Sequence, residues 1–391
     1  MNELFYKRRQ FLQMGIAGVS YFLSGGLAHA AQSDNGFRSL SDIGPLQPPD
    51  ENGIMLPAGF RSRVVARSGQ MPTSNSAFRW HASPDGGACF PTSEGGWVYV
   101  SNSEESSQTG GVGALRFNAN GSIVDAYSIL ENTSRNCAGG ATPWGTWLSC
   151  EEIESGQVFE CDPMGNTAAV VRPGLGTFNH EAVAVDLQHN CAYLTEDMRD
   201  GGLYRFVSAR GLPDLTEGRL EIAAVVSRDG VDYIEWLEIS DPQGSIVATR
   251  RQVPDYFPFN GGEGIAMHDS KVYFTTKGDN RVWCHDTLSQ RIDVIYDAAT
   301  SSNPILTGVD NVAITPGGDV LVAEDGGNMQ IVVLTTDFEP IPLLQIIGQD
   351  DSEICGPAFD PTYRRLYFSS QNGMTGRGED GITYEIAALG S

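Results

Sequence analysis

The stretch "DNVAITPGGDVLVAED", Asp310–Asp325, holds two short β-rich runs joined by a Pro-Gly-Gly turn. The runs are β-branched and too short for helices, and Pro316, Gly317 and Gly318 stop any continuing element. Its layout is an acid, a small residue three places on, a turn, and a strand that closes on Ser, Thr or Ala and often a carboxylate. With a cysteine allowed in the acid's place, five other stretches share it: "DGGACFPTSEGGWVYVSNSEE" from Asp85, "CAGGATPWGTWLSCEE" from Cys137, "EAVAVDLQHNCAYLTED" from Glu181, "EGIAMHDSKVYFTTK" from Glu263 and "EICGPAFDPTYRRLYFSSQ" from Glu353. Successive starts lie 52, 44, 82, 47 and 43 residues apart. Apart from the 82-residue gap, these approximate the roughly 40–45-residue period of a four-stranded propeller blade.

Six repeats with scarce helical periodicity predict an all-β, six-bladed β-propeller over residues 60–391. The long gap contains "EGRLEIAAVVSRDGVDYIEWLEIS" and is read as an insertion near residues 208–260. "FRSRVVARS", Phe60–Ser68, precedes the first repeat and is placed to complete the last blade, which leaves no sheet edge open for other chains. Residues 31–59 are polar and proline-marked, and are expected to form an extended lead-in.

Residues 1–30 read as a removable export signal. Lys7, Arg8 and Arg9 precede a glycine-rich apolar run too short to span a bilayer, and Ala28-His29-Ala30 gives a small-x-small cleavage pattern. Arg8-Arg9-Gln10-Phe11-Leu12 is similar to a twin-arginine signal, with an ordinary secretory signal as the alternative. The expectation is a soluble, monomeric chain without a membrane anchor, passed by the twin-arginine export machinery to the periplasm or outside the cell. The formal charge is −24, or −26 once the first thirty residues are removed, so nucleic acid is a poor partner. Seven cysteines are an odd number for an exported protein; Cys150 with Cys161, or Cys161 with Cys191, are possible bridges, and one thiol is left over.

In a propeller the innermost strand of each blade lines a central channel. The first residues of the repeats, Asp85, Cys137, Glu181, Glu263, Asp310 and Glu353, are therefore expected near its mouth. If each second strand returns to the same end, Glu104, Glu151, Glu152, Glu196, Asp197, Glu324 and Asp325 form a further ring. Carboxylates crowded in one funnel cannot all stay ionised without cations between them. Oxygen-rich positions suit calcium, while Cys137 is either a ligand for iron or another transition metal or a buried, inert thiol. His180 is read as a ligand, a general acid or a structural hydrogen-bond partner. Lys277 ends "YFTTK" where sister repeats end in acids, which makes it a candidate contact for an anionic substrate, as are Arg135 and Arg199.

"NCAGGATPWGTWLSCEE", Asn136–Glu152, resembles the Cys-x-Gly-Gly-x-Thr-Pro-Trp-Gly-Thr segment of PhoX-type alkaline phosphatases. "FRSRVVARSG", "GGVGALRF", "FNHEAVAVD", "YLTEDMRDGGLYRF", "GVDNVAITPGGDVLVAED" and "EICGPAFDP" are similar to that family's other segments, in the same order. The resemblance implies hydrolysis of small-molecule phosphate monoesters on a six-bladed propeller, at an iron and calcium cluster joined by a bridging oxo group. Carried over by motif, Cys137 binds iron and Glu181 is the leading carboxylate ligand of the same centre, with a catalytic role through it. Glu104, Glu151, Glu152, Glu196, Asp197, Glu263, Asp310, Glu324 and Glu353 are the further metal candidates, and Lys277 or an arginine holds a free phosphate oxygen. The family's Asn-His-Glu strand end reads "NSEE" here. The alternatives are a calcium-dependent lactonase or arylesterase on the same architecture, and a non-catalytic propeller that metals rigidify.

Overall fold

The computed structural model describes residues 36–41 and 43–389. The expected signal, residues 1–30, and the first residues of the lead-in lie outside the described residues. The chain forms six antiparallel sheets around one channel. Blade one consists of Pro84–Pro91, Trp97–Ser103, Gly110–Phe117 and Ile123–Thr133, and blade two of Asn136–Ala141, Trp147–Glu151, Val158–Cys161 and Val170–Val171. Blade three has five strands, His180–Asp186, Cys191–Glu196, Leu203–Ser208, Gly218–Arg228 and Val231–Glu238. Blade four is Gly262–His268, Lys271–Thr276, Arg281–Asp286 and Ile292–Asp297. Blade five is Val309–Ile314, Val320–Glu324, Gln330–Leu334 and Pro340–Ile346, with Ile54–Met55 added at its outer edge. Blade six joins Ile354–Phe359, Arg365–Ser370 and Ile382–Ala388 to Phe60–Arg67, so an early strand closes the ring against a late one.

The second strand of each blade is sandwiched, and its side chains alternate between the two neighbouring blades. In blade five Val320 and Val322 pack towards blade four, against Tyr273 and Val282. Leu321 and Ala323 pack towards blade six, against Leu366 and Phe368. The apolar interior accordingly divides into six clusters among the described residues, one at each interface between blades. This is why these strands read as continuous apolar runs in the sequence.

Two segments differ from the simplest reading. The lead-in is docked rather than free: Phe37, Leu40, Ile54 and Leu56 are buried in the cluster between blades five and six, and the Leu40 amide donates to Asp319 Oδ2 at 2.8 Å. The insertion is a hairpin, Gly218–Arg228 with Val231–Glu238, followed by a loop whose short 3-10 turn, Thr249–Gln252, carries Arg250. Small residues let the inner strands approach. A Cβ at Gly140 would stand 1.9 Å from the Val183 carbonyl oxygen, and Gly356, at φ +62°, has no room for one beside the Asp85 carbonyl oxygen at 2.6 Å. Below the mouth, all six inner strands line a cavity of about 450 Å³ walled largely by small and apolar residues such as Gly87, Ala138 and Ala182.

Candidate metal centre at the channel mouth

One irregularity repeats in every blade. Pairing of the first and second strands slips by one residue within two positions of its start, a β-bulge. A bulge bends the strand and re-aims a side chain. The residue that follows the first paired position is Asp85, Cys137, Glu181, Glu263, Asp310 or Cys355. These six form an inner ring, one from each blade. Glu353, taken from the sequence as the sixth member, lies two residues before Cys355 and bridges to Asp325.

The same register brings the second strand back to the mouth. Its last residue pairs with the first of the inner strand, as in Asn136 with Glu151, His180 with Glu196 and Val309 with Glu324. These glutamates do not face the channel. Glu151 accepts the Ser134 amide at 2.9 Å, and Glu324 accepts the Thr307 amide at 2.8 Å. Glu196 accepts the Gly202 amide, the Tyr204 hydroxyl and Arg250 Nη1, at 2.9, 2.8 and 2.8 Å. All three are buried and pin loops, so the structure does not bring them into the metal-binding groups expected of them. The next residue in each blade forms the outer ring: Glu104, Glu152, Asp197, Lys277, Asp325 and Gln371.

The rings meet in three groups whose ligand atoms lie within 4.8 Å of one another: Asp85, Glu104 and Cys137; Glu181, Glu263 and Asp310; and Asp310, Asp325 and Glu353. Cys137 Sγ stands 3.7 Å from Asp85 Oδ2. Glu181 is fully buried, and among the described residues neither of its carboxylate oxygens has a hydrogen-bond partner. A buried carboxylate left bare demands a proton or a cation. Burial, then Glu263 and Asp310, push its pKa well above the usual carboxylate range. Burial followed by neighbouring acids does the same to Asp85, and burial followed by Asp310 to Glu263 and Glu353. Burial raises Glu152 to about 8 although Arg135 opposes it, and Asp310 to about 6 although Lys277 opposes it. The Cys137 thiol is pushed up by burial and then by Asp85 and Glu181.

The chain supplies part of the compensation itself. Arg135, on the loop between blades one and two with its backbone at φ +49°, reaches Glu104 and Glu152 through Nη2, both at 2.6 Å. Gln371 Nε2 donates to Asp85 and Glu104 at 2.7 and 2.8 Å. Lys277 Nζ lies 3.0 Å from Glu263, 3.1 Å from Asp325 and 3.5 Å from Asp310. Burial works against its charge, but the three carboxylates outweigh that and raise its pKa. The donors of the three groups, oxygen-rich with one thiol, fit hard cations together with a softer transition metal.

The family model of the alkaline phosphatase PhoX matches residues 109–304. The chain belongs to the PhoX alkaline phosphatase family. Among solved structures, Pseudomonas fluorescens PhoX in complex with vanadate, a transition state analogue, superposes with a TM-score of 0.72 at 17% identity, over 89% of this chain and 97% of that one. A protein of unknown function from Bacteroides thetaiotaomicron gives 0.50 at 9% identity, over 84% and 76%. Both likenesses are of fold. No curated protein matches in sequence.

Set against the PhoX pattern, the "NSEE" departure comes down to Ser103. Asn102 donates to the Cys137 and Ala138 carbonyls at 3.0 and 2.7 Å, and Glu104 takes its place beside Cys137. Ser103, where the pattern has histidine, turns away to donate to the Ala82 carbonyl at 2.8 Å. His180 belongs to none of the three groups. It is fully buried, its Nε2 is 3.1 Å from the Gly176 carbonyl, and burial lowers its pKa to about 3. All seven cysteines are free thiols, so neither expected bridge is present. Sequence reasoning missed Cys355 and Gln371. The parallel of "YFSSQ" with "YFTTK" is the signal that finds Gln371, and that of "EICGP" with "NCAGG" finds Cys355.

Proposed function

We propose that this chain is an exported phosphatase that hydrolyses small-molecule phosphate monoesters at the channel mouth, with iron and calcium held by the two rings. Membership of the PhoX family implies metal dependence. The observation that carries the reading is Glu181, buried and bare with Glu263 and Asp310 within 4.8 Å and out of contact with Lys277. Cys137, with Asp85 and Glu104, would hold the softer ion, and Glu181, Glu263 and Asp310 a harder one. Asp197 and Glu152 border the same space. Bound cations would reverse the field of the carboxylates, which otherwise repels a doubly charged ester, and would polarise the phosphoryl group.

The chain's own residues orient the ester. Arg135 is about half-exposed, and its Nε and Nη1 carry no bond to a described residue, so its fork is open to a phosphoryl oxygen. Arg199, exposed on the loop after Asp197, offers a second positive group. The vanadate bound by the Pseudomonas fluorescens relative fits a site built for a phosphoryl group. Residues 1–30 would direct folded protein through the twin-arginine machinery to the periplasm or beyond, and replacing Arg8 and Arg9 by lysine is expected to hold the precursor inside the cell.

Elemental analysis beside hydrolysis of a chromogenic phosphate ester tests the proposal. Chelated protein should lose hydrolysis and recover it with iron and calcium. Full activity in protein shown to be metal-free would overturn it.

A further inference from the structure

The outer ring carries Glu104, Glu152, Asp197 and Asp325 in four blades and the neutral Gln371 in a fifth, yet in blade four the same position is a lysine. Its backbone is fixed: the Lys277 amide donates to the Gly261 carbonyl at 2.8 Å, and the residue opens a short 3-10 turn, Lys277–Asp279. From there the ammonium reaches Glu263, Asp310 and Asp325. Those three belong to the two oxygen-only groups, which share Asp310. The ammonium therefore lies between them and touches two of the three members of each, leaving Glu353 in the one and Glu181 in the other. Glu353 is half-buried, whereas Glu181 is fully buried and has no hydrogen-bond partner among the described residues. The group of Glu181 therefore still requires a cation, whereas the ammonium, with solvent reaching the half-buried Glu353, can satisfy the group of Asp310, Asp325 and Glu353.

We infer that the Lys277 ammonium is a built-in cation that takes the place of a calcium ion at Asp310, Asp325 and Glu353. The inference rests on reading the mouth as a metal centre. An ammonium and a divalent ion cannot share the same carboxylates without strong like-charge repulsion, so a lysine here lowers the number of ions the mouth can hold. Calcium is the ion displaced, because the group offers carboxylate oxygen alone.

The test counts calcium per chain by elemental analysis after dialysis of the mature protein against calcium, with folding checked by circular dichroism. Lys277→Gln is expected to bind one calcium more than the wild type, and Lys277→Arg the same number as the wild type. Asp325→Asn should leave the wild-type count unchanged and remove the gain when combined with Lys277→Gln. Equal counts in wild type and folded Lys277→Gln would overturn the inference. So would loss of a calcium in Asp325→Asn alone, a result that decides the matter even if Lys277→Gln fails to fold. Failure of the phosphatase reading looks different: a wild type without bound ions and without turnover, whatever Lys277→Gln gains.

Discussion

In blade three Glu196 and Asp197 are consecutive acids with different surroundings. Glu196 is fully buried between blades and held by an amide, a tyrosine hydroxyl and Arg250, whereas Asp197 is half-buried and adds to the fields that raise Glu152, Glu263 and Asp310. Glu151 with Glu152, and Glu324 with Asp325, repeat the contrast. The cause is the two-residue period of a strand, which turns the last side chain towards a loop and frees the next one for the channel. The strand-final layer is scaffold and the proposed chemistry falls to its successor, so damage to each should register in different measurements.

The largest expected effect falls on the scaffold. Arg250→Ala leaves Glu196 charged and buried, and should cost about 3–5 kcal/mol of stability in denaturant unfolding. The metal content of whatever protein remains folded should not change. A drop in metal content at unchanged stability would erase the distinction between the layers. Next is Cys137→Ser, expected to lower phosphatase turnover on the order of 100-fold while leaving the stability of chelated protein near wild type. Undiminished turnover would make Cys137 an inert thiol and move the chemistry away from the inner ring.

Arg135→Ala should reduce kcat/KM about 10-fold, equivalent to about 1.4 kcal/mol of transition-state binding. Its ion pairs are partly exposed, so little change in melting temperature is expected. The smallest effect provides a baseline distant from both layers. His285 is buried against Tyr193 and Trp236, and burial lowers its pKa from 6.5 to about 4. Its contribution is complete above pH 6.5 and is lost as the pH falls towards 4, because the unfolded chain takes up the proton first. His285→Gln should flatten acid destabilisation over that window by up to about 1.4 kcal/mol per pH unit. An unchanged slope would trace the acid lability to other groups, the mouth among them.

Much of this was legible in the chain. The recurrence of an acid or cysteine with a small residue three places on determined the blade number, since each repeat is one sheet that cannot bury its faces alone. It also picked out Asp85, Cys137, Glu181, Glu263 and Asp310, because their place in the repeat is local. What sequence did not separate was Glu151 from Glu152, Glu196 from Asp197, or Glu353 from Cys355. Those distinctions rest on a one-residue slip in strand pairing, and register is settled by partners distant in the chain.

The partners of the cations were likewise beyond sequence. Lys277 reads as a free positive group until the fold sets Glu263, Asp310 and Asp325 around it. Arg250 reads as part of an insertion until that loop folds back onto Glu196. Residue type and spacing thus determined the architecture and the chemical inventory of the mouth. Tertiary structure decided which charges meet, because electrostatic energy depends on distances of a few ångströms that local pattern does not contain.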